Sequence, residues 1–313
     1  MKLIKMNEIE AQPVRWLWHP YIPFGKLTLV QGDPGEGKTT FILAVAALLT
    51  NGKPMPECSE ALPPGCVIYQ TAEDGLADTI KPRLEAVGAN CKRVVVIDES
   101  EEPLSFSDGR LELAIRKTKA RMLILDPLQA YLGAAVDMHR ANEIRPVLQA
   151  LAGVAERTGC AVVIIGHMNK MAGSKGLYRG LGSIDIAAAV RSLLLVGRDK
   201  QLRVMAPVKT SLAPEGPPIA FSLDEDGFRW IGAYDISVDD LLGGLRPERE
   251  GTKEMQAVGL ITELLRDGPM PCTEIYSRLA GHDISRRTAE NAKQAAGVRA
   301  FKQGAAWHWA LRT

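Results

Sequence analysis

The sequence predicts an α/β fold, a mostly parallel twisted sheet with helices on both faces, followed by a small domain of another kind. Three observations predict it. Strand and helix signals alternate from the N-terminus to about residue 200, which is the signature of βαβ units. Most strand candidates are continuous apolar runs, as expected where both faces of a sheet are covered. Past residue 253 the pattern changes to three short helices and two strand-like pieces.

Taken in order, strands are expected at 26–31, 66–71, 93–97, 122–125, 161–165 and 192–196. Helical patterns lie between them at 39–49, 74–87, 109–119 and 142–158. Segments 202–207, 219–223 and 227–231 read as antiparallel strands closing the sheet edge. Composition shifts near Ser237, and 241–251 mixes Gly, Pro and charge as a linker does. The expected organisation is an ATPase-type core over 1–236, a linker over 237–252 and a small domain over 253–313. In that last part 255–265 is amphipathic, Thr273 is placed to cap a second helix, and Ser285 a third that ends at Gly297. Two strand-like pieces around Gly304 complete a winged-helix pattern.

Bulk properties narrow the function. With 46% hydrophobic residues the chain can bury a substantial core, and a formal net charge of +1 advertises no global attraction to nucleic acid or membrane. Any basic surface must be local. Five scattered cysteines without Cys-x-x-Cys spacing argue against a disulfide framework or a zinc site. No signal peptide or spanning segment is read, so the expected compartment is the cytoplasm, with no membrane partner.

The first chemical motif is Gly32-Asp33-Pro34-Gly35-Glu36-Gly37-Lys38-Thr39-Thr40, between an expected strand and an expected helix. That setting turns a glycine-rich pattern into a phosphate-binding loop. Backbone N–H groups would close around phosphate oxygens, Lys38 would reach the β- and γ-phosphates, and Thr39 would hold Mg²⁺. ATP and Mg²⁺ are the expected ligands. The apolar run 122–125 ends in Asp126, a Walker B aspartate for the metal. Pro127, not Glu, follows it. The carboxylate that would polarise water is therefore sought at Glu73, after the strand 66–71, with Asp74 beside it as a helix cap. His167, at the tip of another apolar strand, is the candidate γ-phosphate sensor. Arg179, Arg191 and Lys209 are candidates for transition-state charge.

Together these residues resemble the RecA-like P-loop ATPases, and within them the RepA/DnaB-type hexameric helicase branch. The likeness covers about residues 12–235. It rests on the loop 32–40, on Thr71-Ala72-Glu73-Asp74, on Leu125-Asp126-Pro127-Leu128, on Gly166-His167-Met168-Asn169-Lys170 and on Arg179-Gly180 through Arg191. The lead-in from Trp16 to Leu27 looks like that of RepA-like ATPases of plasmids, phages and integrated elements. The resemblance implies Glu73 as catalytic base, His167 as sensor and Arg191 as an arginine reaching a neighbour's nucleotide. It also implies an arginine such as Arg83 near the carboxylate, and a ring, usually of six subunits, with ATP between them. A primase or initiator would be a partner. The chain departs from the DnaB pattern in having too little sequence before the loop for a separate N-terminal domain.

DNA contacts are expected at two places. The segment 169–179 carries Lys170, Lys175 and Arg179 among glycines and would track phosphates inside a ring. The tail 253–313 has nine Lys/Arg against six Asp/Glu, with Arg286, Arg287, Lys293 and Lys302 on the third helix and wing. The leading expectation is an ATP-driven DNA-acting ring motor, a RepA-like replicative helicase of a mobile element or phage. The alternatives are a DNA-binding regulator or helicase loader without unwinding, a RecA-type recombination ATPase, and a protein-directed ATPase.

Overall fold

In a computed structural model the structure describes residues 3–133, 136–138, 140–167, 184–243, 253–266, 268–304 and 306–311. Two compact units divide the chain, Met1–Leu245 and Arg246–Thr313.

The first unit opens with a short antiparallel pair, β1 (Trp16–Trp18) and β2 (Ile22–Pro23). The elements that follow are β3 (Leu27–Gly32), α1 (Lys38–Asn51), β4 (Cys66–Thr71), α2 (Lys81–Ala86), β5 (Val94–Val95), α3 (Gly109–Thr118) and β6 (Ala120–Asp126). Then come α4 (Ala141–Thr158), β7 (Ala161–His167), α5 (Ile184–Ala189) and β8 (Ser192–Asp199). The unit closes with β9 (Leu202–Thr210), β10 (Ile219–Asp224), β11 (Gly227–Ala233) and α6 (Val238–Gly243). Among the described residues nine strands form one sheet in the order β11-β10-β9-β8-β3-β7-β6-β4-β5. It is parallel from β8 to β5 and antiparallel from β8 to β11, as the sequence led us to expect.

The continuous apolar strands divide their side chains between two cores, because successive residues of a strand face opposite ways. Val30, Ile124, Val163 and Ile165 pack under α1 with Phe41, Ile42 and Val45. Leu29, Leu123, Leu125 and Ile164 pack on the other face, with Leu111 and Ile115 of α3 and Ile144, Leu148 and Leu151 of α4. Helix α1 is apolar nearly all round because it is covered twice. Its Phe41 stacks on Phe221 of β10 at 5.3 Å and meets Trp230 of β11 edge-on at 5.7 Å. The antiparallel extension thus gives the P-loop helix its second wall.

Three local expectations are corrected. The strand at 93–97 is only Val94–Val95, because the Gln70 side chain takes over the backbone of Ile97. Its Oε1 accepts from Ile97 N at 2.6 Å, and its Nε2 donates to Ile97 O and Glu99 Oε1. The helix expected over 74–87 begins as a wide turn, with Ile80 N donating to Gly75 O at 3.0 Å, before α2 proper. Pro82 lacks the N–H that a regular first turn would use, and a widened turn accommodates it. Asp74 caps nothing there; its carboxylate pairs with Arg83 at 2.7 Å. Finally, Ser237 begins no linker. Its Oγ accepts from Asp240 N at 3.0 Å, starting α6, and Leu241 is buried against Leu195, Val204 and Ala206.

The second unit contains α7 (Lys253–Leu264), β12 (Met270–Pro271), α8 (Cys272–Ala280), α9 (Arg286–Ala295), β13 (Val298–Gln303) and β14 (Ala306–Leu311). Its sheet runs β12-β14-β13, all antiparallel. Ala257, Ile261, Ile275, Leu279, Ala289, Ala292 and Trp309 form its core. Thr273 lies inside α8, which starts one residue earlier behind Pro271, so it is not the cap. Ser285 does start α9, its Oγ accepting from Thr288 N at 3.2 Å.

Candidate nucleotide site

The glycine loop joins the carboxyl end of β3 to α1. Gly37 sits at φ 84° immediately before Lys38, a left-handed conformation in which glycine carries no Cβ penalty. Gly32 has a different reason to be glycine. A Cβ there would lie 2.1 Å from the carbonyl oxygen of Val196 on the neighbouring strand. Gly32→Ala should therefore force β3 and β8 apart and lower the unfolding free energy by about 3 kcal/mol. Urea denaturation of the full chain without nucleotide measures it, and an unchanged midpoint would contradict the packing described.

Lys38 is only 4% exposed, and its Nζ donates to the carbonyls of Gly32 and Asp33, each at 2.8 Å. Burial lowers its pKa, and the nearby Asp126, Asp33, Glu36 and Glu73 oppose the shift. The ammonium is thus held inside the loop, where a phosphate would sit.

Asp126 ends β6, and its Oδ2 accepts from Thr39 Oγ1 at 2.8 Å. Sequence reasoning missed its other partner: Tyr69, fully buried on β4, donates its hydroxyl to the same oxygen at 3.1 Å. A lone hydroxyl in an otherwise apolar strand was the available signal. Burial pushes the Asp126 carboxyl up, against the hydrogen bonds from Thr39 and Tyr69 and the attraction of His167. A hydroxyl and a carboxylate in contact form a hard-oxygen donor pair that suits Mg²⁺, which takes one or two protein ligands and completes its shell with phosphates and water. Accordingly no cluster of three or more metal-binding side chains is found among the described residues.

Burying that carboxylate has a cost. Asp126→Asn is expected to raise the urea midpoint of the nucleotide-free chain at neutral pH. The folded-state pKa of Asp126 lies above its unfolded value, so the penalty is complete at neutral pH. It vanishes once pH falls below the ordinary aspartate range. Paired melts at neutral and acid pH check the sign.

The sheet order brings the remaining polar groups together. Strand β7 lies between β3 and β6, with His167 level with Gly32, while Thr71 of β4 is level with Asp126. The chain beyond Thr71 then carries Glu73 toward His167, with Oε2 at 3.7 Å from Nε2. His167 Nδ1 is buried without a hydrogen-bond partner among the described residues. Two residues distant in sequence thus face each other beside the Thr39–Asp126 pair. Arg83, through Asp74, anchors the segment that carries Glu73.

Other candidates lie elsewhere. Arg191 is exposed at the start of β8, its N–H donating to Leu27 O at 3.0 Å. It lies at the opposite end of β3 from Gly32, about 17 Å away along the strand. Lys209 is not free to supply charge: its Nζ donates to the carbonyls of Ala187 and Val190 at the end of α5, both at 2.8 Å. Lys170, Lys175 and Arg179 lie outside the described residues. In the second unit the Arg286 guanidinium covers the Tyr276 ring at 4.7 Å and the Lys293 ammonium the Trp309 ring at 4.9 Å. Arg287 and Lys302 are exposed. A further group went unnoticed in the sequence. Glu36, buried in the loop, faces Arg198 of β8 at 3.4 Å, and the Arg203 side chain of β9 packs on Gly37.

A sequence profile described as AAA domain matches residues 4–173, more than half of the chain. The chain belongs to the AAA domain family. This AAA domain protein is 25% identical over 250 residues to DNA repair protein RadA of Halalkalibacterium halodurans, covering 75% of this chain and 49% of that protein. RadA of Bacillus subtilis is 25% identical over 148 residues, covering 47% and 28% respectively. The chain therefore spans about half, or less, of the length of the curated relatives it matches. Among solved structures an isolated ATPase domain is similar with a TM-score of 0.51 at 15% identity, over 67% of this chain and 85% of that one. That likeness concerns the fold alone, which is of the RecA-like P-loop ATPase type. Among the described residues no helix is long and apolar enough to cross a membrane.

Proposed function

We propose that the protein is an ATP-hydrolysing, DNA-acting ring ATPase. The observation that carries the reading is the meeting of Glu73 and His167 beside the Thr39–Asp126 pair at the P-loop. In this reading Lys38 exchanges the loop carbonyls for the phosphates of ATP. Thr39 and Asp126 hold Mg²⁺, which neutralises phosphate charge when bound. Glu73 orients and deprotonates the attacking water, and His167 hydrogen-bonds the γ-phosphate through a ring otherwise engaged with Glu73. Arg191, too far from its own P-loop, serves the site of a neighbouring subunit.

The DNA task is supported by the names of the relatives, which are repair proteins, and by the tail. Three helices and a hairpin agree with a winged helix, with Arg287 and Lys302 exposed for phosphates. Replicative unwinding for a mobile element, with a hexameric ring and a primase or initiator partner, is the specific form we favour. The same tail favours a second reading, a duplex-binding regulator or loader. Steady-state ATPase with no DNA, with single strands and with duplex separates them. Strong stimulation by single strands supports the ring motor, and stimulation by duplex alone supports the regulator. Indifference to all DNA would sink both.

A further inference from the structure

The end of the sheet away from the P-loop holds a cleft of about 400 Å³, lined among others by Arg15, Phe24, Arg116, Lys119, Arg121 and Gly159. Its side chains converge from four parts of the fold: the lead-in to β1, the last turn of α3, the first residues of β6 and the turn before β7. We propose that this cleft is a second phosphate site, separate from the P-loop, for a phosphate carried by a nucleic-acid backbone or a free phosphate compound.

Uncompensated charge marks the cleft. Four cations line it, and the carboxylate nearest to them is already spent. Glu112 binds Arg116 and Arg157 together, each at 2.7 Å, and these guanidiniums hold its carboxyl down at about 2. The side chains of Arg15 and Lys119 have no hydrogen bond or ion pair among the described residues. Arg121 gives one hydrogen bond to Pro63 O at 2.8 Å and lies over the Phe24 ring at 5.0 Å. Burial and the neighbouring Arg15 both act against its charge.

A structural explanation covers part of this. The carbonyl end of a helix favours cations, which accounts for Arg116 and for Lys119, the left-handed residue that ends α3 at φ 53°. It does not account for Arg15 and Arg121, which come from other elements and repel each other across the same space. Arg15 even lies against Gly159, where a Cβ would stand 3.3 Å from its Nη2. Forked guanidiniums around a concavity of nucleotide size match the oxygens of a phosphate.

The test uses the full chain carrying Arg15→Ala with Lys119→Asn, both exposed positions, Asn being tolerated in the left-handed conformation. Binding of a fluorescein-labelled oligothymidylate is measured across a salt series without hydrolysis. The expected result is about tenfold weaker binding at moderate salt and a salt slope shallower by about 1. Arg15→Lys should retain most of the affinity, and binding of a fluorescent ATP analogue should not change. Free phosphate is tested by the rise in Tm that pyrophosphate gives a Lys38→Ala chain, whose P-loop is disabled. Loss of that rise in the added double variant, with oligonucleotide binding intact, supports the site and assigns it to a free phosphate compound. If neither readout moves, the proposal is overturned. It is equally overturned if the variants alter only sedimentation, which would make the cleft a contact for acidic protein. None of these readouts needs a ring or ATP turnover, so the assignment stands or falls apart from the proposed motor.

Discussion

Glu73→Gln is expected to lower steady-state ATP turnover by at least about a hundredfold while leaving nucleotide affinity nearly unchanged. General-base assistance contributes on that order, and Gln keeps the size and hydrogen bonding of the side chain without its proton affinity. Glu73 is largely exposed, with 62% of its side chain accessible, so the substitution should cost little stability. Single-turnover hydrolysis separates the chemical step from release. A Glu73→Gln chain that hydrolyses ATP at the wild-type single-turnover rate would remove Glu73 from the mechanism and reassign the base to another carboxylate.

The second large effect concerns Arg191. An arginine that stabilises phosphoryl transfer is worth about a thousandfold or more, and Arg191→Ala should lose activity on that scale. The stronger test is to mix chains. An Arg191→Ala subunit retains its own Glu73, and a Glu73→Gln subunit retains its own Arg191. If the site is shared between copies, a mixture after subunit exchange recovers part of the turnover that neither variant has alone. If Arg191 acts within its own subunit or only supports the fold, mixing two dead chains leaves them dead.

Much of the architecture is legible in the sequence because the strands are written as uninterrupted apolar runs. The run at 66–71 is a strand over that whole span, and those around Val163 and Ile124 needed only to be lengthened to His167 and Asp126. What escaped was specified by partners far away in the chain. Residues 93–97 have strand composition, yet a Gln70 amide takes the Ile97 backbone that the ladder would have used. Asp74 has the look of a cap, but Arg83 offers it a full charge. The same holds at the site. The phosphate loop and Asp126 announce themselves by local pattern, whereas the Tyr69 hydroxyl and the Glu36–Arg198 pair exist only because strands separated in sequence are side by side in space. The basic cleft is the extreme case: a net charge of +1 hides cations that folding gathers on one edge.

Strand β7 also constrains how such a chain can change length. It is bonded in register to β3 on one side and β6 on the other, so deleting one of its residues would turn every later side chain to the opposite face. His167 would leave the level of Gly32, and the two cores would exchange residues. Insertions and deletions should therefore be absent from this strand among descendants of the chain. The turn between β8 and β9, where Lys200 stands at φ 53°, has room to drift in length, and divergence of that kind is to be sought there.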